Sequence, residues 1–520
     1  MSKNNQASVI DCSMLQQKGT VETDVVVIGT GAGGGIAAQL LAEAGYQVAM
    51  IEEGPYRTTA DFHMQEADAY PDLYQEVANR KTRNKAITIL QGRAVGGGTT
   101  VNWTSCFHIP SQTLQHWRQH YGWALDDTVL APSYEYAERL LNITPWPTHN
   151  PSNSAFARGA NKLGWHHETI ARNVRGCRNL GYCGVGCPLG AKQSTLVTCI
   201  PAALKQGASL YSRLRAQRLI TIGDRVTEVE CDALNARGSD ATGIKLRIRA
   251  RHVVLAAGGI GSPALLLRSL IPDPQRRVGK RTFLHVTAAS IALMPEKVEA
   301  FYGAPQTVHS NEFLWRDGVG GEMGYKIEAA PLHPALAATV FGTFGKAHAE
   351  VMEKIPYIQP LIALLRDGFS EQSPGGTVRL RDDGSAVLDY TLNEYYWRAI
   401  RRAYASMLEI QFAAGATRAM PMHSDANWYG SWDQARQGIA GLTMAEQRLK
   451  LFSAHVMGGC TMGADPANSV VGLDGRHHHL SNLSIIDGSI FPTSIGANPS
   501  LPIYAMAARL ADRLVEHLRT

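Results

Sequence analysis

The chain has 520 residues, of which 45% are hydrophobic and 50 are glycine, enough for two or more domains around a large core. Its formal net charge of +5 is spread over that length without a lysine or arginine block, which argues against a nucleic-acid partner. Eight cysteines are too few for a disulfide scaffold, and no stretch reaches the ~20 apolar residues that a membrane helix needs.

The N-terminal segment, Met1 to Thr23, is polar and lacks the basic and apolar regions of a signal peptide. The expected location is therefore cytoplasmic, with peripheral membrane association or export with a partner subunit left open. Next comes Asp24-Val-Val-Val-Ile-Gly29-Thr-Gly31-Ala-Gly33-Gly34, an apolar run dropping into Gly-x-Gly-x-x-Gly. Helical spacing from Ile36 to Ala44 and a second strand from Tyr46 to Ile51 complete a beta-alpha-beta unit. In that context Gly29 serves the tight turn, Gly31 the close approach of a phosphate, and Gly34 the packing of helix on strand. Glu52, 18 residues after Gly34, is placed to accept hydrogen bonds from a ribose. Dinucleotide binding follows, with the pyrophosphate at the helix N-terminus.

A second glycine segment, Gln91-Gly92-Arg93-Ala94-Val95-Gly96-Gly97-Gly98-Thr99-Thr100-Val101-Asn102, is a poor helix or strand interior and reads as backbone passing against something bulky. Three cysteines, Cys177, Cys183 and Cys187, crowd one loop with five and then three residues between them. That is not a common ferredoxin spacing. Thiols or a disulfide bracing a loop, an iron–sulfur cluster, and zinc are the readings to weigh, with Cys199 as a candidate fourth ligand. A strand–turn–helix reads from His252 to Leu267, with Pro263 suited to a first helical turn. Gly376 to Tyr390 reads as a hairpin around an Asp-Gly turn. His477-His478-His479 reads as a solvated turn, because consecutive histidines on a strand point to alternate faces. The last glycine-rich region runs from Ser453 to Ser500 and leads into a helix from Ile503 to Leu514.

The first fingerprint, Gly92-Arg93 through Asn102, Gly261-Ser262-Pro263, His455-x-x-Gly-x-Cys-x-Met-Gly, and Asp487-Gly-Ser through Asn498-Pro499 occur in this order. Together they resemble the glucose–methanol–choline (GMC) flavin oxidoreductases over nearly the whole chain. The cysteine-rich element is nearest to that of the long-chain alcohol oxidase branch. The resemblance implies an α/β fold: a Rossmann-like FAD-binding domain with a sheet-and-helix substrate domain, the GMC / PHBH-like architecture. The division expected is a discontinuous FAD-binding domain over 20–106, 190–285 and 450–520, and a substrate-binding domain with insertions over 107–189 and 286–449.

The same resemblance implies FAD rather than NAD, and a histidine paired with a second His or Asn facing the flavin. Here those are His455 and Asn498. It also implies Asp487 at the ribityl or pyrophosphate region, Gly97, Gly98 and Asn102 along the isoalloxazine and its chain, and Pro499 beside Asn498. Some members attach the flavin through a histidine just before this asparagine. The residue here is Val101, so non-covalent FAD is expected.

The chemistry agrees with these roles. Removing hydride from an alcohol carbon toward flavin N5 needs a base for the hydroxyl proton, and imidazole titrates in the useful range. Asn498 cannot titrate and would orient the substrate oxygen. The expected reaction is oxidation of an alcohol to an aldehyde or ketone, with oxygen, a quinone or a protein as electron acceptor. The alternative is a catalytic FAD subunit of an electron-transfer complex carrying an iron–sulfur cluster at Cys177, Cys183 and Cys187. Trp315, Tyr325, Phe341, Tyr395, Tyr396 and Trp397 hint at an apolar or aromatic alcohol.

Overall fold

The computed structural model describes residues 8–520. Its first large sheet is built on the apolar run before the fingerprint. That run ends β1 (Gly19–Ile28), which leads through Gly29 into α1 (Ala32–Glu43) and then β2 (Val48–Ile51). Val25 to Ile28 are buried, as are all four residues of β2, because helices cover the parallel part of the sheet. The long β3 (Ala241–Leu255) lies parallel to β1 on the side away from β2, and is followed by α2 (Gly258–Arg268). A short strand, Leu483–Ile485, pairs parallel with the end of β3. Beyond β2 the sheet continues parallel through Ser209–Ser212 and Ser8–Asp11, and beyond β3 it continues antiparallel through Arg225–Leu234 and Leu214–Ile222. The C-terminal helix α3 (Ser500–Arg519) packs along α1.

Register brings four strand ends to one level. Ile28 pairs with Ile51 and with Leu255, and Leu255 pairs with Ile485. The chain therefore leaves the sheet at Gly29, Glu52, Ala256 and Ile486 along one edge. Ligands of open parallel sheets bind at this carboxyl edge.

The second large sheet is mostly antiparallel. Its centre is β4 (Thr287–Leu293), flanked through β6 (Ile358–Leu365) by β5 (Tyr325–Glu328). Thr287, Ala289 and Ile291 lie opposite Leu364, Ile362 and Pro360 on one face. Their alternates Ala288, Ala292, Leu361, Ala363 and Leu365 pack into a core with the amphipathic helix Glu394–Ala413. Two short strands from the segments expected in the nucleotide domain, Ile87–Ile89 and Leu451–Ser453, form an edge of this second sheet.

The hairpin is present as Gly376–Leu380 paired antiparallel with Ala386–Asp389. Two local expectations change. Pro263 lies inside α2 rather than in its first turn, because the helix already starts at Gly258, whose φ of +80° and N–H bond to Asp487 set the turn. Only His479 of the histidine run is exposed. His477 is buried and accepts the His479 N–H, while His478 bonds Ser469. Burial brings the His477 imidazole down to about 4. No described helix is long and apolar enough to cross a membrane.

Close packing around the fingerprint is enforced by missing side chains. A Cβ on Gly34 would lie 1.9 Å from the Gly29 carbonyl oxygen and 3.2 Å from Ala256 Cβ. Backbone on both sides leaves no room to relax, so Gly34→Ala is expected to exceed the ~1–3 kcal/mol typical of overpacking in urea unfolding. A loss below about 1 kcal/mol would mean that helix and strand are not held as tightly as this.

Candidate active site

A cavity of about 1350 Å³ opens at the carboxyl edge of the first sheet and runs to the Thr287/Ala289/Ile291 face of the second. Gly29, Gly31, Glu52, Gly97, Gly98, Asn102, His455, Asp487, Asn498 and Pro499 all line it. Gly34 does not, being spent in the helix–strand contact.

At the sheet edge the polar groups are held by the protein itself. Glu52 accepts the Thr30 N–H and hydroxyl on one oxygen (3.2 and 2.8 Å) and the Gly54 N–H on the other (2.9 Å). Burial nevertheless raises its carboxyl to about 7. Three bonds leave about one of four lone-pair sites for a further donor. Asp487 accepts from the Gly258 N–H (2.8 Å), the Ser262 hydroxyl (2.5 Å) and the Ser489 N–H (2.8 Å), and burial raises its carboxyl too. Gly97 touches the first fingerprint, since a Cβ there would come 2.9 Å from Gly31 Cα. Asn102 donates to the Ser500 hydroxyl at 3.3 Å.

The cavity fits a dinucleotide on one decisive point. A Cβ on Gly31 or Gly98 would meet no atom within 4 Å, although both residues sit among packed glycines. The space they keep clear lies over the N-terminus of α1, where first-turn N–H groups have no partner within the helix.

His455 follows the strand Leu451–Ser453, which lies between Ile87–Ile89 and β4, and its N–H donates to Ser453 Oγ at 3.1 Å. Burial first, and then the nearby Lys326, push its imidazole down to about 3. The sequence offered no sign of its neighbour. His285 Nδ1 lies 3.3 Å from His455 Nδ1, the rings meeting edge to face. His285 has a φ of +46°, uncommon for a residue with a side chain, and Asp367 accepts its N–H at 3.1 Å and that of Leu284 at 3.0 Å. Burial pushes the His285 imidazole well below its ordinary value. Gly496 N–H donates to His285 Nε2 at 3.1 Å. These bonds assign the tautomers: neutral His285 carries its proton on Nδ1 and donates to His455 Nδ1, and His455 keeps its proton on Nε2.

Asn498, 5% exposed, precedes α3 and donates from Nδ2 to Glu328 Oε2 at 3.3 Å. Its Oδ1 is buried with no partner in the protein. Glu328 also accepts from Gln306 Nε2 (2.8 Å) and lies 3.6 Å from Lys326 Nζ, an ion pair with side chains 0% and 2% exposed. Burial raises the Glu328 carboxyl and lowers the Lys326 ammonium, to about 7, while their mutual attraction opposes both shifts.

Five of the six aromatics expected on the substrate side lie elsewhere. Tyr325, Tyr395, Tyr396 and Trp397 are buried in the core behind the second sheet, and Trp315 packs on Arg366. Only Phe341 of the six lines the cavity, beside aliphatic residues such as Ile291, Ile362, Leu336 and Val340. The cysteines of the loop are all free thiols. Among the described residues no three His, Cys, Asp or Glu side chains converge as metal ligands, so the cluster reading gains no ligand set. The loop is instead tied to the second glycine segment by Lys192, which donates to the carbonyls of Thr100, Asn102 and Cys183.

Comparisons with known proteins bear on the family and the fold. The profile described as GMC oxidoreductase matches residues 24–287 with its N-terminal part and residues 372–507 with its C-terminal part. An uncharacterised GMC-type oxidoreductase of Mycobacterium tuberculosis is 30% identical over 497 residues, covering 95% of this chain and 76% of its own length. A long-chain-alcohol oxidase of Arabidopsis thaliana is 27% identical over 524 residues, covering 96% and 69%. Among solved structures, pyridoxine 4-oxidase from Mesorbium loti superposes with a TM-score of 0.69 at 17% identity, over 95% of this chain and 99% of that one. Formate oxidase from Aspergillus oryzae gives 0.72 at 13%, over 96% and 99%. At such identities the two structures speak for the fold alone.

The open space at Gly31 gives a direct test. Gly31→Val is expected to leave the unfolding temperature of cofactor-free protein unchanged while lowering FAD retention at least ten-fold, measured as flavin absorbance after gel filtration. Normal retention would place the dinucleotide elsewhere.

Proposed function

This chain belongs to the GMC oxidoreductase family, and within it we propose a flavin-dependent oxidase of aliphatic alcohols that uses His455 as proton acceptor and Asn498 to orient the substrate oxygen. The single observation that carries the reading is the cavity itself, where the glycine-kept space, His455 and Asn498 share one enclosure with an aliphatic wall. FAD is the cofactor, and when bound it accepts the hydride leaving the alcohol carbon. Gly29, Gly31, Gly97, Gly98 and Asn102 would hold it, with Glu52 toward the ribose and Asp487 toward the ribityl–pyrophosphate region.

The protein's own part is proton handling and exclusion of water. The depressed imidazole departs from the ordinary range expected of it: His455 is neutral and available as an acceptor at working pH, but is a weaker base than a free imidazole. To accept a proton at Nε2 it must first change tautomer: its Nε2 proton leaves to solvent, His285 hands its Nδ1 proton to His455 Nδ1, and His285 Nε2 takes up a proton in turn. In that state His455 donates from Nδ1, and His285 releases the Gly496 amide. Giving up one such bond costs about 1–3 kcal/mol, small beside a chemical barrier. The hydroxyl proton then ends on His455 Nε2 as the carbonyl forms. The aliphatic face made by β4 and β6 would take an alkyl tail, a substrate class that the long-chain-alcohol oxidase relatives support.

Four measurements check this reading. In His455→Ala, FAD content should be retained while anaerobic flavin reduction by alcohol slows by about 10²–10⁴, the scale of a lost general base. Unchanged reduction would remove His455 from that role. Because protonation of His455 falls near 3, acid should not slow reduction between about pH 8 and about pH 5. A loss centred near ~6.5 would reveal an ordinary imidazole instead. Across a series of primary alkanols kcat/KM should rise about three- to four-fold per methylene until the wall is filled, from ~0.8 kcal/mol per buried CH₂. A flat series would refute the aliphatic site. Rapid return of the flavin bands in air would mark oxygen as acceptor, whereas persistent bleaching would mark another one.

A further inference from the structure

Behind Asn498 lies a charged pair that the proton chemistry does not use. Lys326 and Glu328 alternate with Tyr325 and Ile327 along β5, so the pair shares one face of the strand while the other two residues join the core. Both charges are removed from water, and Lys326 Nζ sits over the Phe107 ring, 2.9 Å from its centroid. A buried ion pair is weak grounds for stability, since desolvation offsets most of the attraction, so its retention calls for another reason.

The bonds supply one. A carboxylate has only acceptors, so an amide facing it must present its NH₂ group. Glu328 takes one Asn498 N–H, and Gln306 supplies a second donor to the same oxygen. The Asn498 carbonyl oxygen is then the group left over, buried and without a partner beside the cavity. We propose that Glu328 is a positioning residue, which fixes the Asn498 amide so that its Oδ1 receives the hydroxyl hydrogen of an alcohol as it docks. The alcohol oxygen accepts in turn from the resting Nε2–H of His455. A hydroxyl satisfies both partners, whereas an ether satisfies only His455. When His455 exchanges tautomer, the hydroxyl hydrogen rotates from Asn498 to the lone pair now offered by Nε2. This inference rests on the reading of Asn498 as the residue that orients the substrate oxygen.

The test uses oxidised holoenzyme and tert-amyl alcohol, which has no carbinol hydrogen and is not oxidised, against its methyl ether. Binding is read from the perturbation of flavin absorption. Wild type should bind the alcohol about ten-fold more tightly than the ether, the scale of one buried hydrogen bond. Glu328→Gln, whose amide can also donate and so lets Asn498 turn over, should bring that ratio near one at unchanged FAD content. Lys326→Met/Glu328→Gln, which leaves no unpaired buried charge, should do the same and keeps the test open if the single variant does not fold. A preference present in wild type and kept in the variants overturns the role of Glu328. No preference even in wild type overturns the reading of Asn498, and this inference with it.

Discussion

The structure depends on a backbone crossing that only glycine permits. Strand β1 turns into α1 at Gly29, and α1 is pressed between two other pieces of chain. A Cβ on Gly29 would lie 2.3 Å from the Ala256 carbonyl oxygen, and one on Gly33 only 1.9 Å from that of Ile486. The first beta-alpha-beta unit, the end of β3 and the C-terminal segment are thereby clamped at one point. Asp487 adds polar ties there, accepting from Gly258 at the start of α2. Because Asp487 and Asn498 lie on the same C-terminal segment, this clamp also brings Asn498 to the cavity that Gly31 opens.

Burial then sets the chemistry. The histidines, Lys326 and Glu328 all occupy a region where water is excluded, and in each case desolvation is the largest influence on proton affinity. Charges in such a place persist only when paired, as Lys326 and Glu328 are. Neutral groups must instead be chained by hydrogen bonds, and the sequence Gly496, His285, His455 is one such chain. Its direction is decided by a backbone amide, which cannot act as an acceptor. A main-chain N–H thus determines which nitrogen of His455 carries the proton in the resting protein.

Within the second sheet, β5 carries the charged pair, while β4 and β6 contribute shape. Strict alternation along β4 and β6 sends one set of side chains to the core and the other to the cavity, so the wall facing a ligand is aliphatic by register. The cysteine loop has a supporting part beside it. Lys192 is buried, brought down to about 8 by desolvation, and bonds three carbonyls at the junction of that loop with the segment ending at Asn102.

By itself the sequence determined what is local: the apolar run and glycine spacing of the first unit, the hairpin around its Asp-Gly turn, the final helix, and the family motifs that name His455, Asn498 and Asp487. Each depends on period, turn chemistry or a fixed offset, and these are properties of neighbouring residues. The start of α2 is not legible locally because a carboxylate far along the chain holds Gly258, nor is the place of the aromatics, because propensity does not say which face of a sheet they join. His285, Lys326, Glu328 and Gln306 carry no motif. Only the tertiary structure decided their part, since a tautomer, an amide orientation and a shifted proton affinity arise from distances and desolvation that exist after distant segments have packed.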